Sequence, residues 1–284
     1  MIERHPKNAP GDWYVDTRCT DCGAARNVAP GLIVEQDGQS IFARQPKTKV
    51  EIAMAWRARL LCPTASVRTE NRNEAPPGTF PEKLTEKVYR LGYNAASSYG
   101  AHSFLITRNG GNAMVDAPRW TKPVVKALEE RRGLGLVLLT HQDDIADAER
   151  YAAHFGARVF IHQADRARAP FATDILTGRE PTRIAEDLLA IPVPGHTKGS
   201  VAFLYDERCL FTGDSLAWSF EENDLAAWKD YCWHSWAEQT RSLARLLEFP
   251  FSFVLAGHGG SRELPQTEMR ARLAALVERM KQDK

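Results

Sequence analysis

The sequence predicts an α+β protein whose sheets are covered by helices, built as a small N-terminal segment and a larger C-terminal one. Two observations carry that prediction. From about residue 100 onward the apolar pattern switches repeatedly between the two-residue period of strands and the 3.6-residue period of helices. Upstream, "RTENRNEAPPGTFPEK" (68–83) is rich in Pro, Asn and Glu and poor in large apolar residues, which reads as a linker or a surface strap. The expected division is therefore residues 1–70, a linker over 71–86, and residues 87–284. At 284 residues the chain exceeds the usual single-domain size of roughly 100–150 residues, so two units are a natural reading.

The elements follow in order. "SFLITRNGGNAMVDA" holds two alternating apolar runs around Asn109-Gly110-Gly111, a hairpin signal because Asn and Gly tolerate the positive φ that such turns need. "TKPVVKALEERRG" is helical, with Pro123 in its first turn and Gly133 at its end. "LGLVLLT" is a buried strand, "DAERYAAHFG" a helix closed by Gly156, and "ARVFIH" another strand. After them "LLAIPVPGHTKGS", "VAFLYDERCLFTGDS" and "FSFVLAGHG" read as strands, while "SWAEQTRSLARLLEF" and "ELPQTEMRARLAALVERMKQ" read as amphipathic helices.

Composition narrows the function classes. With 37 basic against 36 acidic residues, no global field draws in nucleic acid or an anionic membrane, and a small-molecule or protein partner is expected instead. No apolar run approaches the ~18 residues that span a bilayer. The N-terminus "MIERHPKNAPGDW" lacks the apolar core of a secretory signal, so a cytoplasmic location is expected. Five cysteines in such a chain point away from a disulfide framework and toward metal binding, redox chemistry or simple burial.

Four places share one grammar, an apolar strand followed by a small or turn-forming residue beside a metal-competent side chain. They are Thr140-His141, Gly195-His196, Gly213-Asp214 and Gly257-His258. Strand ends let side chains distant in sequence converge, and a mixed nitrogen and oxygen set suits a hard or borderline divalent ion. One such histidine alone reads as an ordinary turn residue; three histidines and an aspartate in series do not.

In "PGHTKGS" (194–200), "FTGDS" (211–215) and "LAGHGG" (255–260) the chain resembles the metallo-β-lactamase superfamily over roughly residues 85–284. The resemblance implies an αββα sandwich with the active site along one edge. It also implies that His196 ligates a first metal, Asp214 bridges two, and His258 ligates the second. The family's H-x-H-x-D-H motif reads here His141-Gln142-Asp143-Asp144-Ile145-Ala146, so Asp143 replaces a histidine, and Ile145 and Ala146 cannot ligate. Three arrangements remain open: one metal, zinc or iron, held by His141, Asp143, His196 and Asp214; Asp144 or Asp147 swinging in to replace the missing ligands; or an acidic cluster that only caps the following helix. A degenerate, single-metal site is the expectation. Asp143 or Asp144 would then accept the proton.

In the first segment, "DTRCTDCGAARNVAPGL" and "LLCPTASV" resemble single-cluster bacterial ferredoxins over about residues 11–67. The resemblance implies a small ferredoxin-like α+β domain in which Cys19, Cys22 and Cys62 ligate an iron–sulfur cluster. The third cysteine of the run is replaced by Ala25, which leaves a three-iron cluster, a four-iron cluster with one open corner, or a remnant with buried thiols. Cys232 can approach either site, and Cys209 alternates into the core. Trp228, Trp233 and Trp236 around His234 are expected to pack at a domain interface rather than line a pocket.

The functional expectation is a metal-dependent hydrolase of a small ester, thioester, lactone or similar substrate. The alternatives are an iron-dependent oxidoreductase fed by the cluster, with a redox partner protein, and a non-catalytic scaffold.

Overall fold

The structure is a computed structural model and describes residues 3–70 and 74–283; residues 71–73, the first of the expected linker, and the extreme termini lie outside it. The N-terminal segment pairs Trp13–Val15 antiparallel with Val67–Thr69 and folds Ile33–Gln36 back on Gln39–Phe42 as a hairpin. The helix Lys49–Leu61 opens on a capping box in which Thr48 accepts from the Glu51 N–H and Glu51 accepts from the Thr48 N–H. Trp13, Val15, Leu32, Phe42, Ala55, Trp56 and Leu61 close a core of their own.

The C-terminal part holds two sheets. The seven-stranded one runs, in spatial order, through Asp174–Leu176, Arg158–His162, Leu136–Leu138, Ala113–Val115, Ser103–Ile106, Val88–Leu91 and Glu82–Lys83. The last of these, within the stretch read as linker, pairs with Tyr89 and Arg90 at the sheet's edge. The six-stranded sheet runs Thr182–Ala185, Leu188–Pro192, Val201–Tyr205, Cys209–Gly213, Phe253–Ala256 and Arg262–Glu263.

Strand alternation explains the layering. Phe104, Ile106, Val115 and Leu138 of the first sheet meet Ala190, Phe203, Phe211 and Leu255 of the second in one core. Their neighbours Leu105, Met114 and Val137 face outward onto the helices Lys122–Glu129 and Ala148–Phe155. On the other side Ile191, Leu204, Leu210 and Val254 face Trp236–Leu246 and Gln266–Gln282. The result is an αββα sandwich, as expected, and its second sheet positions the site. Leu188–Pro192 and Cys209–Gly213 each run antiparallel to the strand between them, and Cys209–Gly213 runs parallel to Phe253–Ala256. Their C-terminal ends therefore share one edge. Among the described residues no helix is long and apolar enough to cross a membrane.

Candidate metal centre

At that edge the Nε2 of His141 lies 3.8 Å from Asp143 Oδ2 and 3.7 Å from Asp214 Oδ2. The Nε2 of His196 lies 3.6 Å from each of the same two oxygens. With metal–ligand bonds of about 2.0–2.2 Å, tetrahedral donors stand roughly 3.3–3.6 Å apart, so this set is only slightly wider than a bound ion would draw it. The other nitrogens explain the aim. Thr140 Oγ1 donates to Asp116 at 2.8 Å, so toward His141 Nδ1, 2.9 Å away, it is the acceptor. His196 Nδ1 donates to the Tyr231 carbonyl at 2.7 Å. Each ring has placed its one proton outward, and both Nε2 atoms are buried without a hydrogen-bond partner.

A second set shares Asp214. Asp144, Asp214 and His258 each offer a donor atom within 4.8 Å of the others, and both oxygens of Asp144 are buried without a partner. His258 Nδ1 lies 2.9 Å from Asp214 Oδ2, and its Nε2 donates to the Tyr99 carbonyl at 3.3 Å. The approach needs Gly257, where a Cβ would stand 2.8 Å from Asp214 Oδ1 and 2.9 Å from Asp144 Oδ2.

The electrostatics of this cluster ask for a cation. Burial pushes Asp144 well above the carboxylate range, reinforced by the charge of Asp214. Burial also pushes Asp116 up to about 8 despite its two bonds from Thr140, and lowers His141 to about 4. Burial would raise Asp214 too, but the imidazoles of His258 and His141 hold it well below its usual range. Against burial, Asp214 lifts His258 to about 10, while Asp143 and Asp214 raise His196. Asp143 is lowered, first by the neighbouring imidazole of His196. Three carboxylates crowd one spot, and without a positive ion one of them must keep its proton.

Of the arrangements left open by the sequence, the structure brings His141, Asp143, His196 and Asp214 together and adds Asp144 beside Asp214 and His258. Asp147 stands at the N-cap of Ala148–Phe155 but makes no side-chain cap bond, and its carboxylate accepts instead from the Trp120 N–H at 2.6 Å. Ile145 and Ala146 pack against the helix-side core.

Cys19, Cys22 and Cys62 line one small cavity with Thr20, Ala25, Ser40, Pro63 and Thr64. Backbone N–H groups of Asp21 and Ser40 donate to Cys19 Sγ at 3.4 and 3.5 Å, and that of Ser66 to Cys62 Sγ at 3.2 Å. Burial pushes the Cys22 thiol up to about 11. Three sulfurs around one cavity, two of them with N–H donors aimed at them, fit a cluster; Ala25 lines the same cavity in place of a further thiol. Cys209 is buried in its strand as expected, and Cys232 donates to the Gly195 carbonyl at 3.1 Å, on the metal side.

Residues 15–69 match the 4Fe-4S single cluster domain of Ferredoxin I. The chain overlays on the DIM-1 metallo-β-lactamase with a TM-score of 0.54 at 17% identity, covering 69% of this chain and 95% of that one. A metallo-β-lactamase family protein from Thermus thermophilus gives 0.51 at 22% identity, with 70% and 81% covered. This is the metallo-β-lactamase fold. Curated relatives include hydroxyacylglutathione hydrolases from Cereibacter sphaeroides, 41% identical over 122 residues (40% of this chain, 48% of the relative), and from Acidiphilium cryptum, 36% identical over 119 residues (40% and 49%). The chain thus spans about half the length of the curated relatives it matches.

Within this metallo-β-lactamase fold, two acids escaped the sequence reading. Asp116 ends the strand Ala113–Val115 at φ 51° and accepts from both the N–H and hydroxyl of Thr140, so it orients His141. It obeys the strand-end grammar that picked out the other sites, and that signal would have found it. Asp165 accepts from Gln142 N–H, Thr197 Oγ1 and Gly199 N–H at 3.0, 2.6 and 3.0 Å, tying the His141 loop to the His196 loop. Nothing local marks it. The tryptophan expectation is corrected in part: Trp236 packs against the helix-covered core, but Trp233 is 65% exposed, its ring 6.1 Å from that of His196.

Proposed function

We propose that the chain is a metal-dependent hydrolase of small acyl substrates, a thioester foremost, with two ions sharing Asp214. The observation that carries this reading is the buried, unpartnered set of His141 Nε2, His196 Nε2, Asp143 Oδ2 and both Asp144 oxygens, converging on one point from separate strand ends. His141, His196 and Asp214 would hold the first ion, and Asp144, Asp214 and His258 the second. Bound there, divalent ions lower the pKa of water and polarise an acyl oxygen. Asp143 stands beside the first set with its side chain 35% exposed, so its carboxylate would accept the proton and pass it to solvent. Asp116 and the Tyr231 carbonyl keep the two imidazoles in the tautomer that presents Nε2. Tyr99, Tyr231 and Trp233 stand exposed around these groups and offer an apolar rim to the acyl portion.

The thioester preference is supported by the relatives' name, since a hydroxyacylglutathione is a thioester. The cysteine cavity supports a cluster held by three thiolates, with a three-iron core or an open corner at Ala25. Neither the oxidoreductase nor the scaffold alternative gains an observation of its own. Full-length protein stripped with a chelator and reloaded with zinc or manganese tests the proposal on a panel of thioesters, esters and lactones. Hydrolysis of thioesters that vanishes on stripping and returns on loading is expected. Fully loaded protein that cleaves nothing in the panel overturns it.

A further inference from the structure

The loop 94–102, between two strands of the seven-stranded sheet, touches both the cysteine cavity and the metal centre. Its Tyr99 hydroxyl donates to the carbonyl of Thr20, between Cys19 and Cys22, at 2.5 Å. The next residue, Gly100, lies at φ 84° against the cavity wall, where a Cβ would meet Cys22 Sγ at 2.8 Å and Pro63 Cγ at 3.1 Å. Asn94 clamps the loop by donating to the Gly100 carbonyl at 2.7 Å. At the other end the Tyr99 carbonyl accepts from His258 Nε2 at 3.3 Å, leaving His258 Nδ1 to face Asp214. One dipeptide therefore has its side chain and glycine on the cysteines and its carbonyl on a histidine of the metal centre.

We propose that the cysteine loop, with the cluster it would hold, positions His258 through Tyr99-Gly100, so that an intact loop is needed for tight binding of the second ion but not the first. The proposal rests on the two-ion reading above. A histidine ligates well when its other nitrogen is held by a fixed acceptor, and here the acceptor's fixity comes from the sulfur cavity. His141 and His196 take their acceptors from Thr140 and Tyr231, away from that cavity, so they are independent of it. Tyr99 is thus a positioning residue.

The probe is Mn(II), a hard ion that thiolates hold poorly, titrated into chelator-stripped protein that retains its cluster, with free ion read from its EPR signal. Wild type is expected to bind in two steps. In Tyr99→Phe and in cluster-free Cys22→Ser the first step should be unchanged and the second weaker by about 10-fold or more, the low end of effects at such supporting contacts. The Tyr99→Phe protein should keep the cluster's visible absorption, which separates a lost tether from a lost module. A second step unchanged in either variant overturns the proposal. A single step in wild type overturns the two-ion reading and the proposal with it, and is distinguished from failure of the tether alone.

Discussion

The metal centre and the cysteine cavity each depart from their pattern, and they differ in what stands in the gap. At the candidate metal centre Ile145 and Ala146 stand where the resembled motif has an aspartate and a histidine, and Asp144, one residue upstream of them, has two unpartnered buried oxygens and groups with Asp214 and His258. In the cysteine cavity Ala25 stands where the resembled motif has a cysteine, and the other lining residues offer hydroxyls from Thr20, Ser40 and Thr64 but no further thiol. A carboxylate can be supplied by a neighbour because a loop can redirect it. A thiolate on a short helix has no such neighbour. The lesson is that a broken motif must be judged by which side chains the backbone can bring to the vacancy, not by the letters alone.

Removing the shared group should break the metal side most severely. Asp214→Ala takes one ligand from both sets and leaves His258 without its partner, so metal content by elemental analysis should fall toward zero and hydrolysis by at least ~10³-fold, as expected when the chemistry's main electrostatic element is lost. Retained metal would refute the assignment of Asp214. Asp144→Ala sharpens the contrast: about one of two ions should remain, and full occupancy would show that Asp144 is not the replacement. Ala25→Cys restores the missing thiolate, and the cluster should become more resistant to oxidative loss, followed by its absorbance during air exposure, with metal content unchanged. Unaltered resistance would mean that position 25 does not face the cluster. The smallest effect is expected from Thr48→Ala, which removes a capping box far from both sites and should cost about 1 kcal/mol in thermal unfolding without altering either metal.

How much was legible follows the same physics. Apolar period located sheets covered by helices, and the strand-end pattern brought out His141, His196, Asp214 and His258, because in a strand direction follows from parity; the αββα arrangement was implied by the resemblance in PGHTKGS, FTGDS and LAGHGG. The role of Asp144 was open because its direction depends on the absence of a side chain at Gly257, 113 positions later in the chain (257 minus 144). Asp165 was invisible because its partners Gln142, Thr197 and Gly199 lie on two separate loops. The small antiparallel pair Ala217–Ser219 with Asp224–Ala226 also went unread, since runs of three residues carry too little period to separate strand from turn.

The donor atoms at the sandwich edge already point inward with their outward protons committed, and this has a consequence for metal choice. Capture asks for little rearrangement, and imidazole with carboxylate discriminates weakly among zinc, iron and manganese. Selection is thereby left to supply, so the identity of the occupant should track the growth medium, and the same polypeptide harvested from iron-rich or zinc-rich cultures should carry different ions in one unchanged cradle.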